Sequence, residues 1–322
     1  MRARRLGRTG LDVSEIGFGA WGLGATMWRG VSDDDGIAAV RAAIDAGVTF
    51  IDTALAYGDG HSEQLIAKAA PVVTVATKIP PKGGGWPAQS DSKIEEVFPA
   101  DYVRACTERS LANLRRDALD VQQFHVWHDN WLERPGWDAT RREMEKLSAE
   151  GKVRHWGISI NDHSPETALR ALSDPIFETA QVIYNIFDRS AERDLFALAR
   201  ERDLGIIVRV PFDEGALTGA IRPETTFPEG DWRHRYFSGD RPAEAARRAD
   251  ALRPLLGEEA KTLPELALRF ILSRPEVSTV IPGMRRAEHA RANAAASDGR
   301  VLSAGLLETL RAHAWDKNWY AD

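Results

Sequence analysis

The chain has almost no cysteine, no long apolar run and no excess of positive charge. Cys106 is the one cysteine among 322 residues, so neither an internal disulfide nor a cysteine zinc cluster is available. No stretch approaches the ~18 apolar residues of a membrane span. The first residues, Met1-Arg2-Ala3-Arg4-Arg5-Leu6-Gly7, lack the apolar core of a signal peptide. Acids outnumber bases by 48 to 42, a net charge of −6, and the arginine clusters Arg115-Arg116 and Arg285-Arg286 are short. A general nucleic-acid binder usually carries a basic excess or stripe. These absences predict a cytoplasmic protein with neither nucleic acid nor membrane as partner. His125, His128 and Asp129 stand close together without a further ligand set, so no metal is expected. Internal repeats and low-complexity blocks are also missing.

Alternation is what the chain does have. Eight short runs rich in valine and isoleucine read as strands: Glu15–Ala20, Thr49–Asp52, Val72–Lys78, Val121–Val126, Val153–Ser159, Ala180–Tyr184, Ile206–Pro211 and Ser278–Ile281. Nearly continuous apolar character marks strands covered on both faces. Amphipathic helices fill the intervals. Ser32 caps one that carries Asp33-Asp34-Asp35 at its positive end and Gly47 past its negative end. Ser164-Pro165 opens another, Gly151 and Gly205 close two more, and Thr262 caps Leu263–Ser273. This order predicts one domain over residues 1–322, a (β/α)8 TIM barrel with an extra C-terminal helix over Leu302–Trp315. The competing fold is an open doubly wound sheet. Gly17, Gly19, Gly22 and Gly24 lie near the first strand without that fold's Gly-x-Gly-x-x-Gly spacing. Two long connections, Pro80–Ala100 and Phe212–Arg241, follow strands three and seven and would overhang the C-terminal mouth.

Four residues at or just beyond strand ends share one chemistry. They are Asp52, Tyr57, Lys78 and His125. A phenol is a poor acid at neutral pH, and a nearby ammonium is expected to lower its pKa. Lys78 supplies the ammonium, Asp52 can hold it, and His125 can bond the oxygen that Tyr57 protonates. Together they form a general acid facing a polarised carbonyl. The hydride for a carbonyl reduction must come from a nicotinamide cofactor, because no side chain supplies one.

Asp52-Thr53-Ala54-Leu55-Ala56-Tyr57-Gly58, Thr77-Lys78 and Gln123-Phe124-His125 resemble the catalytic motifs of the aldo-keto reductases. Leu6-Gly7-Arg8-Thr9-Gly10-Leu11 is similar to the N-terminal hairpin that plugs that family's barrel. Ser62-Glu63 and Gly151-Lys152-Val153-Arg154 match as well. The resemblance implies a carbonyl reductase binding NADP(H) or NAD(H) without a Rossmann domain, with a small-molecule carbonyl as substrate. It also implies Tyr57 as general acid or base, tuned by Lys78 and Asp52, with His125 orienting the carbonyl. The cofactor contacts it implies are Ala20, Trp21, Asp52, Ser159, Asn161, Gln181, Arg209, Val210, Pro211, Gly283, Arg285, Arg286, His289 and Asn293. A regulatory, redox-sensing subunit on the same barrel is the rival reading; the complete catalytic set favours the enzyme.

The chain departs from the family pattern at several places. Ile160 stands where asparagine is expected, and Asn161 follows one residue late. One residue changes the face of a strand, so Asn161 is a ligand only if the chain leaves the strand there. Arg209 replaces an aromatic residue after strand seven; a guanidinium can stack on a flat ring. Arg285-Arg286 at a helix start suits a 2′-phosphate and predicts a preference for NADP(H), with NAD(H) possible. His289 and Ala292 differ from the usual adenine clamp. Of ten tryptophans, Trp21, Trp86 and Trp127 are expected with Tyr57 and His125 around the substrate.

Overall fold

The computed structural model describes residues 1–28, 30, 32–70 and 72–320. A short antiparallel hairpin, β1 (Ala3–Arg5) and β2 (Asp12–Ser14), precedes eight parallel strands. These are β3 (Phe18–Gly19), β4 (Phe50–Asp52), β5 (Thr74–Ile79), β6 (Leu119–Phe124), β7 (Val153–Ser159), β8 (Phe177–Ile183), β9 (Gly205–Arg209) and β10 (Val277–Val280). They pair in sequence order, and each lies within or beside one of the eight expected runs. Parallel bridges from Ile16 to Val280 and from Gly19 to Gly283 close the ring. At that seam a side chain on Gly19 would stand 2.5 Å from the carbonyl oxygen of Ile281, so only glycine permits the approach. The first strand pairs over two residues with β4 because its earlier residues bond β10 instead.

Helices flank the strands: α1 (Asp33–Asp45), α2 (His61–Ala69), α3 (Ile94–Val97), α4 (Ala100–Leu114), α5 (Gly136–Ala149), α6 (Leu169–Leu172), α7 (Leu195–Arg202), α8 (Trp232–Tyr236), α9 (Arg241–Asp250), α10 (Leu263–Leu272), α11 (Ala287–Ala294) and α12 (Ala304–Arg311). Ser32 makes a full capping box with Asp35, Thr262 caps α10 as expected, and Ser303 caps α12. Two helix ends differ. Asp203, in the left-handed conformation, caps α7, while Gly205 begins β9, where a Cβ would strike Leu6 of the hairpin. Ser164-Pro165 opens a tight 3₁₀ turn before the short α6.

The interior has two tiers. The lower one is apolar: Phe50, Ala76, Val121 and Ile207 from the strands meet Leu6 and Val13 from the hairpin. Arg4 ties the hairpin to the entry of β10 through the carbonyls of Leu272, Arg274 and Val277. The period of two then fixes the upper tier. Ala76 pairs with Val121, so two residues on Lys78 pairs with Gln123. The barrel is thus apolar below and polar at its mouth. Both long connections are structured, the first by α3 and the second by a 3₁₀ turn, Asp213–Thr218, and α8. Beyond α12 the chain returns to the mouth, where the Trp315 amide donates to the Phe187 carbonyl. Among the described residues no helix is long and apolar enough to cross a membrane.

Candidate active site

Lys78 is fully buried at the barrel axis. Its Nζ donates to Asp52 Oδ1 at 2.5 Å and to the Thr53 carbonyl at 2.7 Å, and reaches the Tyr57 hydroxyl at 3.4 Å. The other Asp52 oxygen accepts from Gln181 Nε2 at 2.7 Å and Gln123 Nε2 at 3.4 Å. Four strands therefore fix one ion pair, and the pair aims at one phenol. Burial lowers the pKa of Lys78, with Asp52 opposing.

The Tyr57 and His125 rings meet edge-on, their centroids 5.7 Å apart. The expectation of a lowered phenol pKa is reversed here. Burial raises it, the Asp52 carboxylate adds to the rise, and Arg209 opposes. Loss of water around the phenolate outweighs the cation. Burial also holds His125 well below the usual imidazole value, and the charges of Lys78 and Arg209 reinforce this. Its Nδ1 is buried with no partner among the described residues, which leaves Nε2 as the nitrogen facing the mouth. Trp21 stands 6.4 Å from the Tyr57 ring and Trp86 4.4 Å from His125. A neutral imidazole and a protonated phenol thus flank one point, with an ammonium behind the phenol.

This point is the floor of a cavity of about 1500 Å³ that runs from the barrel axis to α11. Ala20, Ser159, Gln181, Val210, Pro211 and Gly283 line it, as do Arg285, His289 and Asn293 farther out. Three expected site residues do not, the first being Lys78, which is fully buried behind Tyr57. Trp127 is fully buried among Trp131, Trp137 and Phe177, because the chain leaves the strand after Phe124 and period-two alternation no longer applies. Arg286 is exposed and turned toward Glu288 at 3.7 Å.

Asn161 and Arg209 both line the cavity. The chain leaves β7 after Ser159, so Asn161 lies beyond the strand. Its amide nevertheless binds the Trp127 carbonyl at 2.9 Å and both backbone groups of Ala88, which fastens the long connection after β5. Arg209 lines the cavity as well, paired with Asp162 at 2.6 Å and with the Ile160 carbonyl at 3.0 Å.

Further wall residues come from the second long connection and the chain's last residues. Val210, Asp213 and Glu214 all have positive φ, at 54°, 49° and 56°. Asp213 accepts from Lys317 Nζ at 2.9 Å, and Glu214 accepts from the Tyr320 hydroxyl at 2.6 Å. Burial pushes the Glu214 carboxyl up to about 7, aided by Asp213 and Asp162. Trp28, Trp232 and Arg233 complete the outer wall. No sequence motif marks these residues; for Asp213, Glu214, Trp232 and Arg233 the length of the Phe212–Arg241 connection was the available signal.

The model of the aldo/keto reductase family matches residues 15–314. Aldo-keto reductase YhdN of Bacillus subtilis is 31% identical over 290 residues, covering 86% of this chain and 83% of that protein. A glycerol dehydrogenase from Gluconobacter oxydans superposes with a TM-score of 0.77 at 27% identity, covering 97% of this chain and 94% of that one. An aldo-keto reductase from Klebsiella pneumoniae, solved in complex with NADPH, gives 0.68 at 28% identity, covering 99% and 97%. With a family model matching nearly its whole length, the chain belongs to the aldo/keto reductase family.

Proposed function

We propose that this protein is an NADP(H)-dependent oxidoreductase that reversibly reduces an aldehyde or ketone to an alcohol, with Tyr57 as general acid and base. The observation carrying this reading is the line from Asp52 through Lys78 Nζ to the Tyr57 hydroxyl, with His125 across the same point.

A carbonyl oxygen at that point accepts from the Tyr57 hydroxyl and from His125 Nε2–H. The raised pKa keeps the phenol protonated at neutral pH, so the acid is loaded before the reaction begins. As negative charge grows on the oxygen, Tyr57 releases its proton to it. The resulting phenolate lies beside the Lys78 ammonium, which Asp52 and the Thr53 carbonyl prevent from turning away. In the alcohol-oxidising direction the same phenolate is a strong base. His125 stays neutral and orients the oxygen without exchanging a charge.

A nicotinamide cofactor, when bound, supplies the hydride. The wall chemistry fits a dinucleotide. Ser159 and Gln181 lie at the inner end, arginines lie midway, and Asn293 lies at the outer end. The cavity also exceeds the roughly 300–1,000 Å³ common for a small ligand alone. The NADPH held by the Klebsiella relative supports NADP(H) as the preferred form. Trp21 and Trp86 then serve as substrate walls.

The test is consumption of NADPH by the purified protein with a panel of aliphatic, aromatic and hydroxylated aldehydes and ketones. Turnover with at least one class is expected. Tight NADPH binding without turnover on any carbonyl would replace the enzyme by a cofactor-sensing subunit.

A further inference from the structure

The first turn of α2 carries two consecutive polar residues, Ser62 and Glu63, that are fully buried. Neither caps the helix, whose N-cap is Gly60 with no side-chain bond. Their side chains reach the strand ends instead. Ser62 Oγ accepts from Thr53 Oγ1 at 2.9 Å and donates to the Ala20 carbonyl at 3.0 Å. The Ser62 amide donates to the Tyr57 carbonyl at 3.2 Å. Glu63 Oε1 accepts from Thr77 Oγ1 at 2.6 Å, and its other oxygen accepts from Asn113 Nδ2 on α4 at 2.8 Å. One helical turn thus binds groups on or just past β3, β4 and β5.

Three of these partners adjoin the phenol or its cation. The Thr53 carbonyl takes an N–H of Lys78 at 2.7 Å, and Thr77 is the residue before Lys78. The third is the Tyr57 carbonyl itself. On its other side the Tyr57 loop packs on the connection after β3, where a Cβ on Gly58 would stand 2.3 Å from the Gly24 carbonyl oxygen. Apolar residues would fill the places of Ser62 and Glu63 without burying a hydroxyl and a carboxyl. Stability alone does not call for the pair, whereas orientation does, because hydrogen bonds are directional. The separation of Lys78 Nζ from the Tyr57 hydroxyl, 3.4 Å, lies at the outer edge of hydrogen bonding, so a small displacement breaks the contact.

We propose that Ser62 and Glu63 are positioning residues for the proton transfer, acting through Thr53, Thr77 and the Tyr57 carbonyl to set the distance between Lys78 Nζ and the Tyr57 hydroxyl. The inference rests on the reading of Tyr57 as proton donor. Neither residue lines the cavity, so their loss alters turnover and spares binding.

Carbonyl-reduction kinetics and NADPH titration of the wild type, Ser62→Ala, Thr53→Val, their double variant and Thr140→Val test the positioning. Thr140→Val is the control for a merely structural bond, since the buried Thr140 hydroxyl donates to the Phe98 carbonyl at 2.8 Å. Ser62→Ala is expected to lower kcat about tenfold or more, because small misplacements of reacting groups are costly. KM and the NADPH dissociation constant should stay within about twofold, as should kcat of Thr140→Val. Thr53→Val cuts the same bond from its other end. It should lower kcat similarly, and the double variant should fall no further. Glu63→Leu should also lower kcat, and Glu63→Gln, which keeps an acceptor for Thr77, should recover part of it. If thermal unfolding shows Ser62→Ala misfolded, Thr53→Val takes its place. Unchanged kcat in Ser62→Ala, an equal fall in Thr140→Val, or a loss confined to KM and NADPH binding would overturn the proposal. Turnover absent from the wild type, or unimpaired in Tyr57→Phe, contradicts the proton-donor reading instead. Crystal structures of the wild type and Ser62→Ala then decide the positioning: a longer separation of Nζ from the hydroxyl in the variant supports it, and an equal one overturns it.

Discussion

Lys78 is a charge with no access to water, and its surroundings explain why it is tolerated. Asp52 neutralises it, the Thr53 carbonyl accepts a hydrogen bond from a second N–H, and Gln181 and Gln123 occupy the far side of the carboxylate. Removing one member strands the other. Lys78→Met should cost about 3–5 kcal/mol of folding stability, the usual penalty for leaving a buried ion unpaired. Adding Asp52→Asn should return part of it. Urea unfolding of both single variants and the double variant measures this coupling, and strict additivity would refute it. The four residues proposed to react converge because Asp52 and Lys78 lie at the ends of β4 and β5, while Tyr57 and His125 follow β4 and β6 closely. That placement was legible in sequence. The phenol's pKa direction was not, because a residue pattern shows which charge is near and not how much water is lost. Trp127 and Arg286 were misplaced for a related reason. Once the strand or loop has turned, spacing no longer tells which side a residue faces.

The loop after β9 is strained and acidic at once. Asp213 and Glu214 are consecutive non-glycine residues in the left-handed region, a conformation costing roughly 1–2 kcal/mol each. Both carboxyls are buried, and each is held by one of the chain's last residues, Lys317 or Tyr320. Glu214 carries a pH signature. Its folded pKa of about 7 lies above the ordinary 4.5, so the folded state favours the protonated form. The stability this contributes is complete below the ordinary value and is lost as pH rises through 7. The difference amounts to ~3 kcal/mol at most. Glu214→Gln keeps an oxygen for Tyr320 and removes the titration. Stability measured by urea at pH 5 and pH 8 should therefore fall more for the wild type than for the variant. Equal falls would show that Glu214 does not titrate in this range. None of this was readable from local pattern, since the holding contacts span 104 and 106 residues. Helix ends fared better, because Ser32, Thr262 and Ser303 each bond a backbone amide three residues on.

At the scale of the molecule, one barrel carries the proposed binding and chemistry in a single cavity. Eight apolar runs alternating with capped helices made the barrel legible, because each strand needs cover on both faces. The closing seam at Gly19 and the return of the C-terminal segment to the mouth were not legible, since both depend on residues distant in sequence. The cavity's inner end holds Tyr57, the proposed proton donor, and its wall includes the arginines and, on α11, Asn293. The two proposed tasks are therefore separated along one axis. Removal of the Tyr57 hydroxyl should stop the chemistry and spare the binding. In Tyr57→Phe, kcat for carbonyl reduction is predicted to fall by a factor on the order of 10²–10⁴, the usual contribution of a positioned acid. The dissociation constant for NADPH, measured on the same preparation, should stay within about twofold. A Tyr57→Phe protein that reduces carbonyls at the wild-type rate would contradict the central claim that this phenol supplies the proton.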